Sequence, residues 1–221
     1  MSDRTYAMHE CQRPGCGFRF PAISGVPSSE RCPRCGYPAT LVDDSLAMRS
    51  VPLAISPPPG PQLEVLLDNI RSTFNVGAMF RTADGAGVRC LRLAGMTPTP
   101  SNPRTAKTAL GAEFKVPWSY FPNGLAAAQE MKARGLTLWA LEGGEDTIPI
   151  FDAVQTLSQA PIGLVVGNEV SGVDPAILSI CDRIVHIPMQ GYKRSLNVSI
   201  AFGIAVYLIR YTQSKEERSH R

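Results

Sequence analysis

Several common signatures are absent from this chain of 221 residues. It contains no GxSxG elbow, no GxGxxG loop and no phosphate-binding P-loop, which argues against an unrelated hydrolase or nucleotide-binding enzyme. No apolar run follows a basic start, and the apolar stretch from Val198 to Ile209 is too short and interrupted to span a bilayer. We therefore expect a cytoplasmic protein with no secretory signal and no membrane contact.

Charged residues and histidines are also scarce. Only 19% of the residues are charged and 44% are hydrophobic, which is typical of a globular chain with a real core. The net charge of +3 permits a polyanionic partner without requiring one. The three histidines, His9, His186 and His220, show no metal-ligand spacing with one another, and we expect a structural role for His186.

Four of the six cysteines form two closely spaced pairs near the N-terminus. Cys11 and Cys16 flank four residues, Cys32 and Cys35 flank two, and fifteen residues separate the pairs. Each pair is followed by a glycine that lets the backbone turn around a metal. Four thiolates suit tetrahedral structural zinc, whereas disulfides are disfavoured where thiols stay reduced. The spacing predicts a zinc ribbon in residues 1–45.

Arginines surround the predicted ribbon. Arg13, Arg19, Arg31 and Arg34 lie near the cysteines, against only two glutamates. Arginines on exposed loops suit phosphate contacts, so RNA is a candidate partner of the ribbon. The alternative is that the arginines only balance the negative charge of a four-thiolate zinc site.

A proline-rich segment, VPLAISPPPGPQ, separates the ribbon from the rest of the chain. Consecutive prolines favour an extended spacer, and we predict a linker over residues 46–62. Apolar runs then alternate with helical patterns, which predicts an α/β domain with a mostly parallel sheet over residues 63–214, followed by a charged tail, residues 215–221. The predicted strands are Leu63–Leu67, Val88–Leu93, Leu136–Leu141, Ile162–Val166 and Arg183–Ile187, and the predicted helices are Val76–Gly85, Gly124–Arg134, Pro175–Ile180 and Ser195–Tyr211.

Three polar patches lie where predicted strands end. In the first, Asn75 is placed to cap the helix that Val76 opens, and Gly77 allows another backbone to approach. The second is GNE, residues 167–169, after an apolar strand, and the third is IPMQGYKRSLNVS, residues 187–199. Each has a plain alternative as a helix cap, a surface arginine or a turn. Three such patches at successive strand ends favour a site.

In order and spacing, the patches resemble the three motifs of the SpoU/TrmH RNA 2′-O-ribose methyltransferases of the SPOUT superfamily. The resemblance rests on NxGxxxR (Asn75, Gly77, Arg81), GNE, IPMxG with SLNVS, and TALGAE at residues 108–113. It covers roughly residues 63–211. Val170 departs from the pattern, because many members have glycine there.

The resemblance implies a SPOUT-type fold, in which a mostly parallel sheet has helices on both faces and the C-terminal segment forms a trefoil knot. It implies S-adenosylmethionine as methyl donor, structured RNA (tRNA or rRNA) as substrate, and a homodimer with the active site near its interface. The positions implied for cofactor binding are Leu141, Glu142, Gly143, Gly167, Ile187, Met189 and Leu196.

The resemblance also nominates five catalytic residues, namely Asn75, Arg81, Glu169, Ser195 and Asn197. The family's proposed proton acceptor corresponds to Arg81, but a guanidinium almost never loses its proton. A phosphate clamp that orients the ribose is the alternative role for Arg81. Glu169 is expected to position Arg81 or the substrate hydroxyl. A non-catalytic RNA-binding relative that retains the cofactor fold is the main competing hypothesis.

Overall fold

The computed structural model describes residues 6–44 and 58–212, and the chain divides into two compact units between Ile55 and Ser56. Residues 46–57 of the predicted linker and the whole predicted tail, residues 215–221, lie outside the described residues. The larger unit, Ser56–Arg221, contains all three motif patches.

The N-terminal unit contains a small antiparallel sheet. Its strands are β1 (Tyr6–Cys11), β2 (Arg19–Ile23) and β3 (Ala39–Asp43), with β1 in the centre. Few apolar side chains are buried there, among them Ala7 and Phe20. A core this small rarely stabilises a domain by apolar burial alone, so the unit needs another source of stability.

The larger unit is built on one sheet of seven strands. In chain order these are β4 (Leu63–Asp68), β5 (Cys90–Ala94), β6 (Trp118–Phe121), β7 (Thr137–Leu141), β8 (Ile148–Pro149), β9 (Ile162–Val166) and β10 (Arg183–His186). Across the sheet they are ordered β6-β5-β4-β9-β7-β10-β8, and every neighbouring pair is parallel. All five strands that the apolar runs predict are present, but the apolar runs do not predict β6 and β8.

Helices cover both faces of this sheet, as expected. They are α1 (Thr73–Ala86), α2 (Pro103–Ala109), α3 (Gly124–Ala133), α4 (Ile150–Ala153), α5 (Pro175–Leu178) and α6 (Val198–Tyr211). Buried side chains of α1, α4 and α6 share one core cluster, and those of α3 and α5 share the other. No helix in the described part of the chain is long and apolar enough to cross a membrane.

The central strand β4 contributes to both cores because successive side chains point to opposite faces. Leu63, Val65 and Leu67 pack with α1 and α6, whereas Leu66 packs with α3. All six β4 residues are buried, including the carboxylates Glu64 and Asp68, and Glu64 forms ion pairs with Arg92 and Arg134.

Two helix starts differ from the predicted ones. The first helix begins at Thr73, and Ser72 caps it by accepting the Asn75 N–H at 3.3 Å, so the prediction that Asn75 is the cap is wrong. The last helix begins at Val198 with Asn197 as its cap, so the prediction that Ser195 opens it is wrong. Serine and asparagine are both good caps, and the local sequence does not distinguish between them.

Residues 58–62, assigned above to the linker, include backbone that packs against α6. The Gly60 N–H donates to the Arg210 carbonyl at 2.8 Å. The buried Arg210 guanidinium in turn donates to the carbonyls of Ala86, Gly60 and Pro61. Burial lowers the pKa of Arg210, and these three acceptors compensate for its lost hydration. This backbone is therefore part of the larger unit.

The contact between α1 and α2 depends on Gly77. A Cβ on Gly77 would lie 2.5 Å from the Thr108 Cβ and 2.7 Å from the Thr105 carbonyl oxygen. This confirms the expectation that Gly77 allows another backbone to approach the first turn of its helix. The approaching backbone belongs to α2, which ends in the TALGAE segment.

Candidate active site and metal centre

A cavity of about 440 Å³ lies at the carboxyl edge of β7, β9 and β10. Its walls come from the segments that follow these three strands, as is usual for ligand sites of parallel sheets. Its volume suits a small cofactor. All seven positions that the resemblance implies for the cofactor line it, namely Leu141, Glu142, Gly143, Gly167, Ile187, Met189 and Leu196.

The loop after β9 folds sharply back on itself. Asn168 and Gly172 exchange two backbone hydrogen bonds of 3.0 Å, and the Asn168 carboxamide accepts the N–H groups of Val170 and Ser171. A Cβ on Gly167 would lie 2.3 Å from the Gly172 carbonyl carbon, so only glycine fits there. The side chain of Val170, which departs from the family pattern, is 81% exposed and takes no part in this packing.

Glu169 links this loop to the start of α1. One carboxylate oxygen accepts the Arg71 N–H at 2.9 Å, and the other accepts the Ser72 N–H at 3.2 Å and the Asn75 amide at 2.9 Å. Partial burial alone would raise the pKa of Glu169, but these hydrogen bonds outweigh it and lower the pKa. Glu169 is therefore held as a carboxylate at the edge of the cavity.

Replacing Glu169 with glutamine is expected to remove a pH-dependent part of the stability. Glutamine has one acceptor oxygen, and its NH₂ group would face a donor. Because folding lowers the pKa of Glu169, its stabilisation is complete above the ordinary value of 4.5 and is lost as the pH falls through the lowered pKa. The urea midpoints of wild type and Glu169→Gln should therefore differ at pH 7 and converge as the pH falls below 4.5 through the lowered pKa.

Glu145→Gln is the matched control for this titration. Glu145 is exposed and makes no hydrogen bond or ion pair among the residues that the structure describes. Its substitution should leave the urea midpoint unchanged at every pH. A gap between wild type and Glu169→Gln that stays constant down to pH 3 would contradict the role assigned to the ionised carboxylate.

A chain of hydrogen bonds joins the three motifs. The side-chain NH₂ group of Asn75 donates to Glu169, and the side-chain oxygen of Asn75, Oδ1, accepts a hydrogen bond from the Asn197 side chain at 3.2 Å. Asn197 also caps α6 by accepting the Ser199 N–H at 2.9 Å. Glu169, Ser195 and Asn197 line the cavity. Asn75 does not line it and is connected to it through its hydrogen bonds with Glu169 and Asn197. The structure thus brings four of the five nominated catalytic residues together.

Arg81 is the fifth, and it lies elsewhere. Its side chain is exposed on α1 and is not among the residues that line the cavity. Within residues 6–44 and 58–212 it makes no hydrogen bond or ion pair, and Glu169 bonds to Asn75 and to backbone instead. Glu169 and Arg81 thus make no direct contact in the described residues, and the expectation that Glu169 positions Arg81 or the substrate hydroxyl stays a prediction.

Sequence reasoning missed Asn168 as a residue that shapes the site. Its amide donates to the Asn69 carbonyl at 2.7 Å, which ties the β9 loop to the end of β4. Asn69 has a positive φ of 57° and anchors Met96 through its own carboxamide. The position of Asn168 inside GNE was the available signal. Nothing local in the sequence predicts the Asn69 contact.

His186 and Thr147 fix one wall of the cavity. The Thr147 hydroxyl donates to the Gly144 carbonyl at 2.8 Å and lies 2.8 Å from His186 Nδ1. Because a hydroxyl has a single proton, the hydroxyl accepts from His186, which places the imidazole proton on Nδ1. This contact gives His186 the structural role that the sequence predicts, and the residue also lines the cavity.

The four N-terminal cysteines converge in the small unit. Their sulfur atoms all lie within 4.8 Å of one another, with Cys35 Sγ 3.6 Å from Cys11 Sγ and 3.7 Å from Cys16 Sγ. Tetrahedral zinc with Zn–S bonds of about 2.3 Å requires sulfur separations of about 3.8 Å. The cluster therefore has the dimensions of a four-thiolate metal site, and Gly36, with a φ of 70°, shapes the second turn.

Without a metal, the surroundings favour a thiolate at Cys35 and oppose one at Cys11. The Arg13 N–H points to Cys11 Sγ at 3.5 Å. The Tyr37 backbone N–H lowers the pKa of Cys35 to about 7, whereas burial raises the pKa of Cys11 to about 12. A metal cation would displace the remaining protons, so metal binding at this cluster should release protons and weaken as the pH falls.

Comparison with known proteins agrees with the geometry. Residues 62–207 match the model of the SpoU rRNA Methylase family. The chain is 36% identical over 148 residues to the 23S rRNA (guanosine(2553)-2′-O)-methyltransferase RlmP of Bacillus subtilis, covering 66% of this chain and 57% of that protein. The chain thus spans under two thirds of the length of such curated relatives.

Solved structures give the same result. An rRNA methyltransferase from Sinorhizobium meliloti with AdoMet bound has a TM-score of 0.63 and 28% identity, covering 73% of this chain and 60% of that one. A TrmH/SpoU tRNA modifying enzyme from A. aeolicus has a TM-score of 0.61 and 31% identity, with coverages of 74% and 80%.

Proposed function

The chain belongs to the SpoU rRNA methylase family, and on that premise we propose that it methylates a ribose 2′-hydroxyl in RNA with S-adenosylmethionine as donor. The observation that carries this proposal is the hydrogen-bonded chain Glu169–Asn75–Asn197 at the edge of a cofactor-sized cavity. Relatives named as 23S rRNA methyltransferases favour ribosomal RNA as the substrate. A transfer RNA is the alternative, as in the A. aeolicus enzyme.

The cavity fits the proposed cofactor in size and in chemistry. Gly143 and Gly167 line it without side chains that would fill it, and Leu141 and Ile187 supply apolar walls. Glu142 also braces the β9 loop, because its carboxylate accepts the Val173 N–H at 2.8 Å. When bound, S-adenosylmethionine supplies an electrophilic methyl group.

The catalytic residues then position the nucleophile. Glu169 holds Asn75, and Asn75 holds Asn197, so each side chain is fixed before the substrate arrives. Ser195, exposed at the edge of the cavity, is available to hydrogen-bond the ribose. We assign Arg81 to an RNA phosphate, because its exposed guanidinium is a planar fork of donors that suits a phosphate and has no partner among residues 6–44 and 58–212.

Labelled methyl transfer tests the proposal. Purified protein incubated with methyl-labelled S-adenosylmethionine and bulk cellular RNA should yield labelled 2′-O-methylnucleotides, and calorimetry should show cofactor binding. Cofactor binding without methyl transfer would instead support the non-catalytic relative. No cofactor binding would contradict the proposed activity. Mapping the 2′-O-methyl mark that disappears when the gene is deleted would identify the target nucleotide and decide between ribosomal and transfer RNA.

We propose that residues 1–45 form a zinc ribbon that contributes to RNA recognition. The sulfur distances support zinc, and zinc would supply the stability that the small core lacks. Arg13 and Arg34 are exposed and, within residues 6–44, their side chains make no hydrogen bond or ion pair. They are therefore available to phosphates.

Replacing Cys32 and Cys35 with serine is expected to remove the zinc and to weaken RNA binding about tenfold, because the ribbon unfolds without its metal. Cofactor affinity, a property of the larger unit, should stay unchanged. Metal analysis, fluorescence anisotropy with labelled RNA and calorimetry measure the three quantities. Cys90→Ser, which removes a thiol from the larger unit, is the control. Unchanged RNA affinity in zinc-free protein would leave the ribbon a structural or partner-docking role.

We further propose the C-terminal knot that the resemblance implies. The strand β10 lies between β7 and β8, which are consecutive in the chain. The connection from β7 to β8 must therefore pass across the end of β10, where residues 187–197 leave the sheet. A chain that threads this connection would form the knot, and the proposal is supported by the cavity that Glu142, Gly143, Ile187, Met189 and Leu196 line together.

We also propose that the protein is a homodimer and that it is located in the cytoplasm. On α6, Ile200, Tyr207 and Tyr211 share one helix face and are 56%, 44% and 47% exposed, and Phe74 on the neighbouring α1 is 66% exposed. Exposed apolar stripes of this kind usually mark an interface. None of the six cysteines, all of which lie in the described residues, is in a disulfide, which fits a compartment that keeps thiols reduced. Sedimentation of the intact protein tests the dimer.

A further inference from the structure

A second groove, of about 860 Å³, adjoins the cofactor cavity. The two share the lining residues Gly143, His186, Ile187, Met189 and Arg194. The rest of the groove is lined by Gly144, Gly191, Tyr192 and Lys193. No carboxylate is among these nine lining residues, and two of them are cations. The groove therefore favours an anionic ligand.

The aromatic side chain in this groove is unusually exposed. Tyr192 has 96% of its surface in solvent, so burial in the core does not explain its presence. Its neighbours Lys193 and Arg194 are also exposed. A Cβ added to Gly191 would meet nothing within 4 Å, so there is open space beside the ring. An exposed ring flanked by two cations combines a stacking surface with phosphate contacts.

We propose that this groove binds an unpaired nucleotide of the RNA next to the methylated ribose. The base stacks on Tyr192, and the adjacent phosphates contact Lys193 and Arg194. The inference rests on the proposed function and extends it by naming the surface that holds the RNA strand at the active site. It predicts that the enzyme prefers targets in loops or bulges, because a paired base cannot reach a stacking platform.

Continuity along the chain supports this placement. The loop that carries Tyr192 begins after Met189, which lines the cofactor cavity, and ends at Ser195, which lines it as well. Tyr192 is only three positions from Ser195 in the chain, so a nucleotide in the groove would be next to a ribose at Ser195.

Anisotropy with a fluorescein-labelled single-stranded RNA of about twelve nucleotides tests the inference in the full-length protein with S-adenosylmethionine present. Tyr192→Ala should weaken binding about tenfold, the loss expected for one base–aromatic stack. Tyr192→Phe should stay within about twofold of wild type, because the ring remains. Lys193→Ala should lower the slope of log affinity against log salt by about one, the loss of one phosphate contact.

Phe114→Ala is the matched control, because Phe114 is 84% exposed and lies outside the groove. Its RNA affinity should equal that of wild type. Wild-type RNA affinity in Tyr192→Ala would overturn the inference. So would a loss of cofactor affinity with RNA affinity unchanged, since the groove would then belong to the cofactor site. Failure of the wild type to bind S-adenosylmethionine by calorimetry would instead overturn the proposed function.

Discussion

Replacing Arg81 with alanine is expected to lower the turnover number for methyl transfer about 100-fold or more, while cofactor affinity stays within about twofold of wild type. The cavity does not include Arg81, so cofactor binding should not depend on it. Its guanidinium is exposed, and nothing in the described residues neutralises it, so the substrate is its natural partner. Single-turnover assays at saturating RNA and calorimetry measure the two effects.

Arg81→Lys distinguishes the possible roles of this side chain. Lysine keeps the positive charge but loses the planar fork that grips a phosphate through two bonds. A clamp predicts an intermediate loss of turnover with a raised KM for RNA. A base predicts a turnover that depends on pH differently from wild type, since a lysine amine can deprotonate where a guanidinium cannot. Near-normal turnover at saturating RNA would contradict both roles.

Arg81 does not line the cavity of its own protomer, so mixed dimers can test whether it acts at the active site of the partner protomer. We expect Glu169→Gln, which loses the carboxylate that holds Asn75, to be inactive as well. If Arg81 reaches across the proposed dimer interface, mixing Arg81→Ala with Glu169→Gln restores one complete site in each heterodimer. A random mixture would then recover about a quarter of wild-type activity, because half the dimers are mixed and each has one working site. Activity no higher than the sum of the two variants alone would place Arg81 with its own protomer.

The strands that sequence patterns predict well are those buried on both faces. Residues Ile162–Val166 form β9 with the predicted bounds, because five small or apolar residues lie between Pro161 and Gly167. The strand β6 escapes prediction because its four residues, Trp118–Phe121, are only partly buried at the edge of the sheet. The short α2 is polar and depends on its contact with Gly77, which no local pattern reveals.

In the candidate site, too, some features can be predicted from the sequence and others cannot. The composition of the cavity wall follows from three strand ends that a parallel sheet brings to one edge, which a sequence can predict. The roles within it depend on long-range hydrogen bonds. Asn75 lies 94 positions from Glu169 and 122 from Asn197, so the choice of Asn197 over Ser195 as helix cap depends on a tertiary contact. Local capping preferences carry no information about such contacts.

Replacing Gly167 with alanine is expected to abolish measurable cofactor binding. The new Cβ would lie 2.2 Å from the Val173 nitrogen and 2.3 Å from the Gly172 carbonyl carbon, and backbone cannot yield as a flexible side chain can. The β9 loop must therefore shift, and with it the Glu142–Val173 hydrogen bond and the wall of the cavity. Overpacking of this kind costs about 1–3 kcal/mol or more, which lowers Tm by roughly 2–12 °C for a unit of this size.

Gly143→Ala separates this steric effect from the mere addition of a methyl group. Gly143 lines the same cavity, but a Cβ there would meet no protein atom within 4 Å, so Tm should equal that of wild type. Calorimetric titration with S-adenosylmethionine and thermal melting of both variants give the comparison. If Gly167→Ala melted like wild type and kept its cofactor affinity, the tight return of the β9 loop would not be what shapes the cavity. A lower Tm together with lost cofactor binding in Gly167→Ala, but not in Gly143→Ala, would show that the tight backbone turn at Gly167 shapes the cofactor cavity.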